Sequence, residues 1–358
     1  MSTTQGADHR PEGPAQELAV ELAIRTEHLT KIYGQRLIAV NDMNLHVPRG
    51  SVFGLLGPNG AGKTTTLRLL LGLQRPTAGR AEVFGKPCGP NAVAVRSQIG
   101  YLPTNPKLPE DLRPIEYLDL LGKLSRLPGE VRKPRMVSLL RAVGLLGTTN
   151  QQIQTLSTGE TTRLGIAASL VADPPLLLWD EPTAGLDPAA RRFTLDLIRE
   201  LGKTHTILVS THILGDIDQI CDYVGVMHEG RVIFSGPMRD MKRRLERDDF
   251  TLDLSGEEGE IQRLAAQVNG LAGMEAQVRS GQTVMVRLSG EKSRAGALAE
   301  VLTLVDAAKL SLQGIQSGLN VTENAYLQLL QEDEAHGFQR FDLDVRKSDH
   351  AVPGDPPA

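Results

Sequence analysis

Short apolar runs alternate with helical patterns between about residue 19 and about residue 238. Apolar runs at 52–56, 176–179 and 206–210 are bounded by turn residues, and a helix-forming run follows the first of them at 65–73. Continuous apolar runs of this length are typical of strands that are buried on both faces. The pattern therefore predicts an α/β domain over 19–240.

The segment between Pro103 and Leu156 changes to a mainly helical pattern. Apolar residues recur there at about every third position in two stripes, which are Ile115, Leu118, Leu121 and Leu124, and Leu139, Leu140, Val143 and Leu146. This spacing is that of one face of an α-helix. We predict a helical subdomain, over about 104–160, that is inserted into the α/β domain.

A second domain follows a charged segment at 239–249. Alternating and helical patterns succeed one another there in the order βαββαβ, at 250–254, 261–268, 274–278, 284–288, 295–305 and 310–315. This order predicts a small α+β domain of ferredoxin-like type over 248–332. The polar ends are predicted to be tails, with 1–18 disordered and 333–358 polar.

Charge and composition narrow the functional classes. The 358 residues carry 39 Lys and Arg against 43 Asp and Glu, a formal charge of −4, so no global field favours nucleic acid or anionic lipid. Cys88 and Cys221 lack the spacing of a metal site or a disulfide framework, which favours a reducing compartment.

No apolar run approaches the roughly 18 residues of a membrane-spanning helix. The N-terminus lacks the pattern of a secretory signal. We therefore predict a chain that works in the cytoplasm, spans no membrane and binds no nucleic acid.

A phosphate-binding loop stands between the run at 52–56 and the helix that follows. Its residues fit the spacing G-x-x-x-x-G-K-[ST] and are Gly57, Pro58, Asn59, Gly60, Ala61, Gly62, Lys63 and Thr64, with Thr65 next in the helix. Glycines let backbone N–H groups converge on phosphate oxygens, and the helix N-terminus adds its partial positive charge. Lys63 is expected to reach the β- and γ-phosphates, and Thr64 the Mg²⁺. By itself the loop leaves many NTPase families open.

Two acids end the apolar run at 176–179. Asp180 suits the ligand shell of Mg²⁺, and Glu181 is placed to polarise an attacking water. The alternative is a buried strand with two acids at its solvated end. The phosphate-binding loop upstream favours the catalytic interpretation.

The segment Leu156-Ser157-Thr158-Gly159-Glu160 makes the pattern specific. With it, the chain from about residue 21 to residue 237 resembles the nucleotide-binding subunit of ATP-binding cassette (ABC) transporters, whose signature runs Leu-Ser-Gly-Gly-Gln. The resemblance implies that two chains close head to tail around two ATP molecules, with Ser157 and Gly159 facing the γ-phosphate held by the partner. A plain capped helix that begins at this segment is compatible with that role.

Three more residues fall where the family has functional groups. Tyr33 matches the aromatic side chain that stacks on adenine, although alone it would be taken for a core tyrosine. Asp187, in the run at 183–188, matches the loop that joins the two sites across the dimer. His212 matches the histidine that contacts the γ-phosphate and orients the catalytic groups.

The chain departs from the family at three positions. Thr104 stands where a glutamine commonly touches Mg²⁺ and moves the helical insertion, so its place among the metal ligands is a weaker expectation because the side chain is shorter. Thr158 replaces the first glycine of the signature, and Glu160 replaces its glutamine. Glu160 brings a negative charge near phosphates.

The resemblance implies an ATPase subunit on the cytoplasmic face of the cell membrane that drives a permease on a separate chain. A homodimer with ATP and Mg²⁺ is expected. The C-terminal domain, with its ending at 320–326, resembles that of bacterial drug and polysaccharide exporters and implies export. An ABC-type switch that acts on ribosomes or DNA is the alternative. A ligand sensor or dimer brace in the C-terminal domain is a third possibility that the sequence does not rank.

Overall fold

A computed structural model describes residues 21–34, 37–243, 250–280, 282–289 and 293–317, together with 326, 327, 329, 330, 332 and 333. The tails predicted at 1–18 and from 334 onward lie outside these residues, as does most of the ending at 320–326.

The centre of the molecule is a six-stranded sheet. Its strands are β4 (Val52–Leu56), β7 (Ile99–Leu102), β8 (Leu176–Asp180), β9 (Thr206–Thr211), β10 (Tyr223–His228) and β11 (Arg231–Pro237). They are ordered β11-β10-β4-β9-β8-β7, and every pairing is parallel except that of the edge strand β11. Every residue of β4, β8 and β9 is buried, as both faces of the sheet are covered. The parallel strands end at one edge, where loops can gather functional side chains.

An antiparallel sheet packs beside it. Its strands are β1 (Leu22–Tyr33), β2 (Leu37–Met43), β3 (His46–Pro48), β5 (Ala78–Val83) and β6 (Lys86–Pro87). The helix α1 (Lys63–Leu70) shares a core with both sheets, in which Ile24, Phe53 and Leu67 are fully buried. We predicted this helix at 65–73. It begins earlier because Gly62, with φ of 102°, turns the loop directly into it.

The helical insertion is confirmed. After α2 (Val93–Arg96) come α3 (Pro114–Leu124), α4 (Gly129–Ala142) and α5 (Thr158–Leu170), which share a core with one face of the central sheet. Leu118, Leu140 and Trp179 are fully buried in that core. Leu124 and Leu146, at the ends of the two predicted stripes, are exposed instead. The remaining helices before the second domain are α6 (Pro188–Leu201), α7 (Leu214–Ile220) and α8 (Met238–Arg243).

The second domain has the predicted element order. Its elements are β12 (Phe250–Ser255), α9 (Glu258–Asn269), β13 (Met274–Ser280), β14 (Thr283–Leu288), α10 (Arg294–Ala307) and β15 (Ser311–Ser317). The strands form one antiparallel sheet in the order β13-β14-β12-β15, which is the ferredoxin-like arrangement. The small α+β fold is therefore confirmed, whereas the domain boundaries stay a prediction.

The end of the described chain returns to the first domain. Leu329 is buried in a cluster with Leu56, Val226 and Met241, and Asp333 accepts a hydrogen bond at 2.8 Å from His228 Nδ1. Within the described ranges, no helix is long and apolar enough to cross a membrane.

Candidate functional site

The phosphate-binding loop lies at the edge where the parallel strands end. It leaves β4 and enters α1, and its turns rely on Gly60 and Gly62, whose φ angles are 85° and 102°. A Cβ at Gly62 would lie 2.1 Å from the carbonyl oxygen of Ala39. A side chain is therefore excluded at this position both by backbone conformation and by space.

The Lys63 side chain is folded into the loop. Only 6% of it is exposed, and its ammonium donates to the carbonyl oxygens of Gly57 at 2.6 Å and Pro58 at 3.2 Å. It also lies 3.3 Å from Glu181 Oε1. The cation is thus held where phosphate oxygens would compete with these acceptors.

Asp180 joins three segments at the end of β8. Its side chain accepts hydrogen bonds from Thr64 Oγ1 at 2.7 Å and from Ser210 Oγ, and its backbone carbonyl accepts one from Thr104 Oγ1 at 3.2 Å. The residue is 1% exposed. A hydroxyl and a carboxylate in contact are the oxygen donors that Mg²⁺ takes beside phosphates. Thr104 is bound to the strand rather than to the carboxylate.

Glu181 follows Asp180 in an unusual backbone conformation. Its φ is 52°, which a non-glycine residue rarely adopts and which is typical of functional sites. Its Oε2 lies 2.9 Å from His212 Nδ1, and the opposite oxygen faces Lys63. The carboxylate is therefore held between a cation and an imidazole, with 10% of its side chain exposed.

A cavity of about 500 Å³ opens in front of the loop, a volume in the range of small-molecule sites. It is lined by Tyr33, Leu37, Ile38, Ala39, Asn59, Gly60, Ala61, Gly62, Lys63, Thr64, Thr65, Thr104, Glu181 and Glu229. Gly57, Pro58, Asp180 and His212 do not line the cavity, but His212 contacts Glu181, which does.

Tyr33 stands in the wall of the cavity. Its hydroxyl donates to Gln74 Oε1, and the Lys31 ammonium lies 5.2 Å from the ring centroid. Gln74 and Glu229 were not predicted from the sequence. The hydrogen bond from Tyr33 spans 41 residues of chain, and no motif marks Gln74.

The signature segment forms a helix start away from this cavity. Ser157 caps α5, and Glu160 Oε2 accepts from the Ser157 amide at 2.9 Å and from its hydroxyl at 2.8 Å, which closes a capping box. The bonds from the amide and hydroxyl of Ser157 lower the pKa of the Glu160 carboxyl. Asp187 likewise caps α6, with its Oδ1 2.9 Å from the amides of Ala189 and Ala190.

The starts of α5 and α6 lie close to each other at Gly159 and Ala190. A Cβ built on Gly159 would lie 3.4 Å from the Cβ of Ala190, which is ordinary contact. Ser157, Gly159 and Asp187 therefore belong to one region of the surface that is separate from the cavity. The described chain brings together the loop, the two acids and His212, and it does not bring the signature to them.

Neither cysteine takes part in the site. Cys88 and Cys221 are free thiols. Burial raises the pKa of Cys88 to about 12 and also raises that of Cys221. Both thiols are therefore protonated at neutral pH.

Comparison with known proteins agrees with this geometry. The family model of the ABC transporters matches residues 40–184. The chain is 40% identical over 229 residues to the Nod factor export ATP-binding protein I of Cupriavidus pinatubonensis, covering 64% of this chain and 70% of that protein. The chain belongs to the ABC transporter ATP-binding proteins.

Other relatives and solved structures extend this family assignment. The bacitracin transport ATP-binding protein BcrA of Enterococcus faecalis is 39% identical over 231 residues, covering 63% of this chain and 73% of that protein. A solved ATP-binding subunit of an ABC transporter matches with a TM-score of 0.57 and 31% identity, over 62% of this chain and 92% of its own. An ATP-binding cassette solved as a dimer in a post-hydrolysis state with ADP and Pi matches with a TM-score of 0.56 and 25% identity, over 60% of this chain and 99% of its own.

The fold class and the enzymatic activity are thereby confirmed. This chain is an ATP-binding and ATP-hydrolysing subunit of the ABC type. The alternative of a switch on ribosomes or DNA finds no support among these relatives.

Proposed function

We propose that two copies of this chain bind two Mg²⁺-ATP head to tail and drive a separate membrane permease of an exporter. The observation that carries the proposal is the contact of Lys63, Glu181 and His212 at the rim of the cavity, while the signature lies elsewhere on the same chain. A second chain would supply the missing signature.

The loop and its helix bind the phosphates. Residues of the loop and the N-terminus of α1 line the cavity, where their amides would bind phosphate oxygens. Lys63 exchanges its carbonyl acceptors at Gly57 and Pro58 for phosphate oxygens. Tyr33 offers an aromatic face to the base. Thr64 and Asp180 would hold Mg²⁺, which neutralises charge on the β- and γ-phosphates.

Glu181 accepts the proton of the attacking water. Its carboxylate is pre-oriented by His212 Nδ1 and lies beside Lys63, so the group that takes the proton is fixed before ATP arrives. In the closed dimer Ser157 and Gly159 of one chain face the γ-phosphate held by the other. Asp187, at the start of α6, connects the two sites.

Exposed apolar side chains support docking to a permease. Among the described residues, large apolar side chains that are exposed concentrate on the helical insertion, namely Leu120, Leu124, Val131, Val137 and Leu146. Leu120 and Leu124 lie one turn apart on α3. Exposed apolar side chains close together on a helix are typical of protein contacts, and Leu120 and Leu124 form such a pair. We assign this face to the permease, at the cytoplasmic surface of the membrane.

Export is supported by the names of three relatives. Besides the Nod factor export protein and the bacitracin transport protein, the daunorubicin resistance ATP-binding protein DrrA3 of Streptomyces coeruleorubidus is 39% identical over 242 residues. The three names state export, transport and drug resistance in turn, and we extend the export direction to this chain.

Co-purification tests whether this chain binds a membrane permease. Glu181→Gln, which is expected to keep ATP bound, is isolated from the native membranes in mild detergent with ATP present, and its companions are identified by mass spectrometry. A multi-spanning membrane protein supports the proposal, and its recovery should fall when Leu124→Asp is added. Recovery of ribosomal or DNA-binding proteins in its place would contradict the proposal.

A further inference from the structure

Asp216 is a buried carboxylate close to the catalytic edge, and it does not line the cavity. It lies in α7 and is 1% exposed. Its Oδ2 accepts a hydrogen bond from Thr183 Oγ1 at 2.5 Å. Its Oδ1 accepts from Arg191, at 2.8 Å from Nε and 2.7 Å from a terminal nitrogen. Each carboxylate oxygen therefore binds a different segment of the chain.

Thr183 lies two residues after Glu181, and backbone hydrogen bonds connect their segment, residues 181–187. The backbone amide of Ala184 donates to the Glu181 carbonyl at 3.2 Å, and that of Leu186 donates to the Thr183 carbonyl at 3.4 Å. Two overlapping turns thus run from Glu181 toward Asp187. A shift of Thr183 would be passed to the catalytic carboxylate through these turns.

The other two segments carry Asp187 and His212. The Arg191 amide donates to the Asp187 carbonyl at 2.9 Å, so Arg191 stands one turn into the helix that Asp187 caps. Asp216 itself follows His212 by four residues, and its amide donates to the carbonyl of Ile213 at 3.1 Å. The single carboxylate of Asp216 consequently joins the segments of all three functional residues.

A second acid and arginine pair on α6 shows what an ordinary ion pair looks like here. Asp196 and Arg199 are 2.8 Å apart, lie on the same helix, and are 58% and 52% exposed. The pair of Asp216 is instead buried on the acid side and bridges α6 and α7. A buried ion pair adds little net stability, because removing the charges from water offsets their attraction. Its clearest consequence here is to fix the relative position of the segments that it joins.

We propose that Asp216 is a positioning residue that keeps Glu181 and His212 aligned with each other and with the Asp187 segment. The backbone of Glu181 is in a rare conformation, and such residues persist only where their surroundings over-determine them. The inference rests on the proposed catalytic roles of Glu181 and His212. It adds a residue that touches neither ATP nor the attacking water.

The test is steady-state ATP hydrolysis by the full chain with three variants and two controls. Asp216→Asn places an amide donor against either Thr183 or Arg191, while Thr183→Val and Arg191→Met each release one carboxylate oxygen. For these variants kcat should fall by about 10- to 100-fold, the scale of a small misplacement of catalytic groups. KM for Mg²⁺-ATP should stay within about twofold, as none of the three side chains lines the cavity. Asp196→Asn and Lys203→Met each remove one member of an exposed surface pair on or beside α6, and these controls should retain the wild-type kcat.

The folded fraction of each variant separates a positioning role from a general effect on stability. Thermal unfolding by circular dichroism gives the folded fraction at the assay temperature, and a kcat loss that merely follows this fraction overturns the proposal. If Asp216→Asn does not fold, Thr183→Val and Arg191→Met decide the question alone. An unchanged kcat in both of these overturns it.

Single turnover in the Glu181→Gln background identifies what Asp216 acts through. There Asp216→Asn should slow hydrolysis by less than about twofold, since effects of residues that act as a unit are not additive. The same factor as in wild type would mean that Asp216 acts independently of Glu181, which contradicts the proposal. A wild-type rate in Glu181→Gln alone would instead refute the proposed role of Glu181, so the two failures are distinguishable.

Discussion

The cavity half and the signature half of the proposed nucleotide site are built in different ways. In the cavity half, side chains far apart in sequence contact one another, such as Thr64 with Asp180 and Glu181 with His212. In the signature half, the hydrogen bonds of Ser157 and Asp187 to other described residues lie within their own helix starts. One half is assembled by the fold of the chain, whereas the other presents two capped helix N-termini. The contrast supports our proposal that one chain supplies only part of each catalytic site, because its described residues do not bring the signature to the phosphate-binding loop.

The largest change in kcat is expected from removal of the proposed general base, Glu181, in the cavity half. Glu181→Gln keeps the shape of the side chain and removes the base, so kcat should fall by about 10²- to 10⁴-fold. Binding of ATP should persist, as followed by equilibrium binding of a fluorescent analogue. A wild-type kcat would show that another group takes the proton.

The next effect concerns affinity. Lys63→Ala removes a nearly buried cation whose contact with phosphate is worth about 1.5 to 3 kcal/mol, or roughly 10- to 150-fold in Kd. Calorimetric titration with ATP measures it, and Lys203→Ala, which removes an exposed lysine of a surface pair, is the control. Unchanged affinity in Lys63→Ala would contradict the phosphate-binding role of the loop.

A smaller loss of kcat is expected from a change in the signature half, and it shows whether that half acts on the ATP of its own chain or on that of the partner. Gly159→Ala adds a Cβ in ordinary contact with Ala190, so the fold should be kept and the free energy of unfolding should not fall. The same methyl would stand in the way of a partner's phosphate, and kcat should drop by about tenfold, the equivalent of one lost hydrogen bond to a charged oxygen. Affinity of the single chain for ATP should not change. A loss of that affinity would place the signature in the chain's own site.

The smallest effect is a pH dependence of the signature half. Because the Ser157 amide and hydroxyl lower the folded pKa of Glu160, its stabilisation is present above the unfolded pKa and is lost as pH falls through the folded pKa. Wild type should therefore be more stable than Glu160→Gln at neutral pH, by less than about 1 kcal/mol, and the difference should vanish in acid. Urea unfolding between neutral and acidic pH measures it. A difference that grows on acidification would contradict the capping role.

The residues of the site that lie in short sequence motifs could be predicted from the sequence. Strand ends, the glycine spacing of the loop and the acids Asp180 and Glu181 follow one another in order, so both the fold class and the cavity could be inferred. The start of α1 was misplaced by two residues, since pattern alone does not show that Gly62 turns directly into it.

Contacts between segments that are distant along the chain could not be predicted from the sequence. Gln74, Glu229 and Asp216 match no motif, and the fold brings each of them beside segments that are distant in sequence. Asp216 bonds to Thr183 across 33 residues. A buried aspartate in a short helix gives no signal of its own, because the same letter is common on exposed helix starts.

The central claim, a site shared by two chains head to tail, is tested most directly by mixing two impaired variants. At an ATP concentration well below the Kd of the Lys63→Ala variant, Lys63→Ala impairs the cavity half and Gly159→Ala impairs the signature half. In a dimer of either variant alone, both sites carry the defect. A mixed dimer has one site with both defects and one site with neither. Equal amounts should therefore recover about a quarter of the wild-type ATP hydrolysis rate, since about half of the dimers are mixed and each has one intact site. A rate equal to the average of the two separate variants would contradict the shared site.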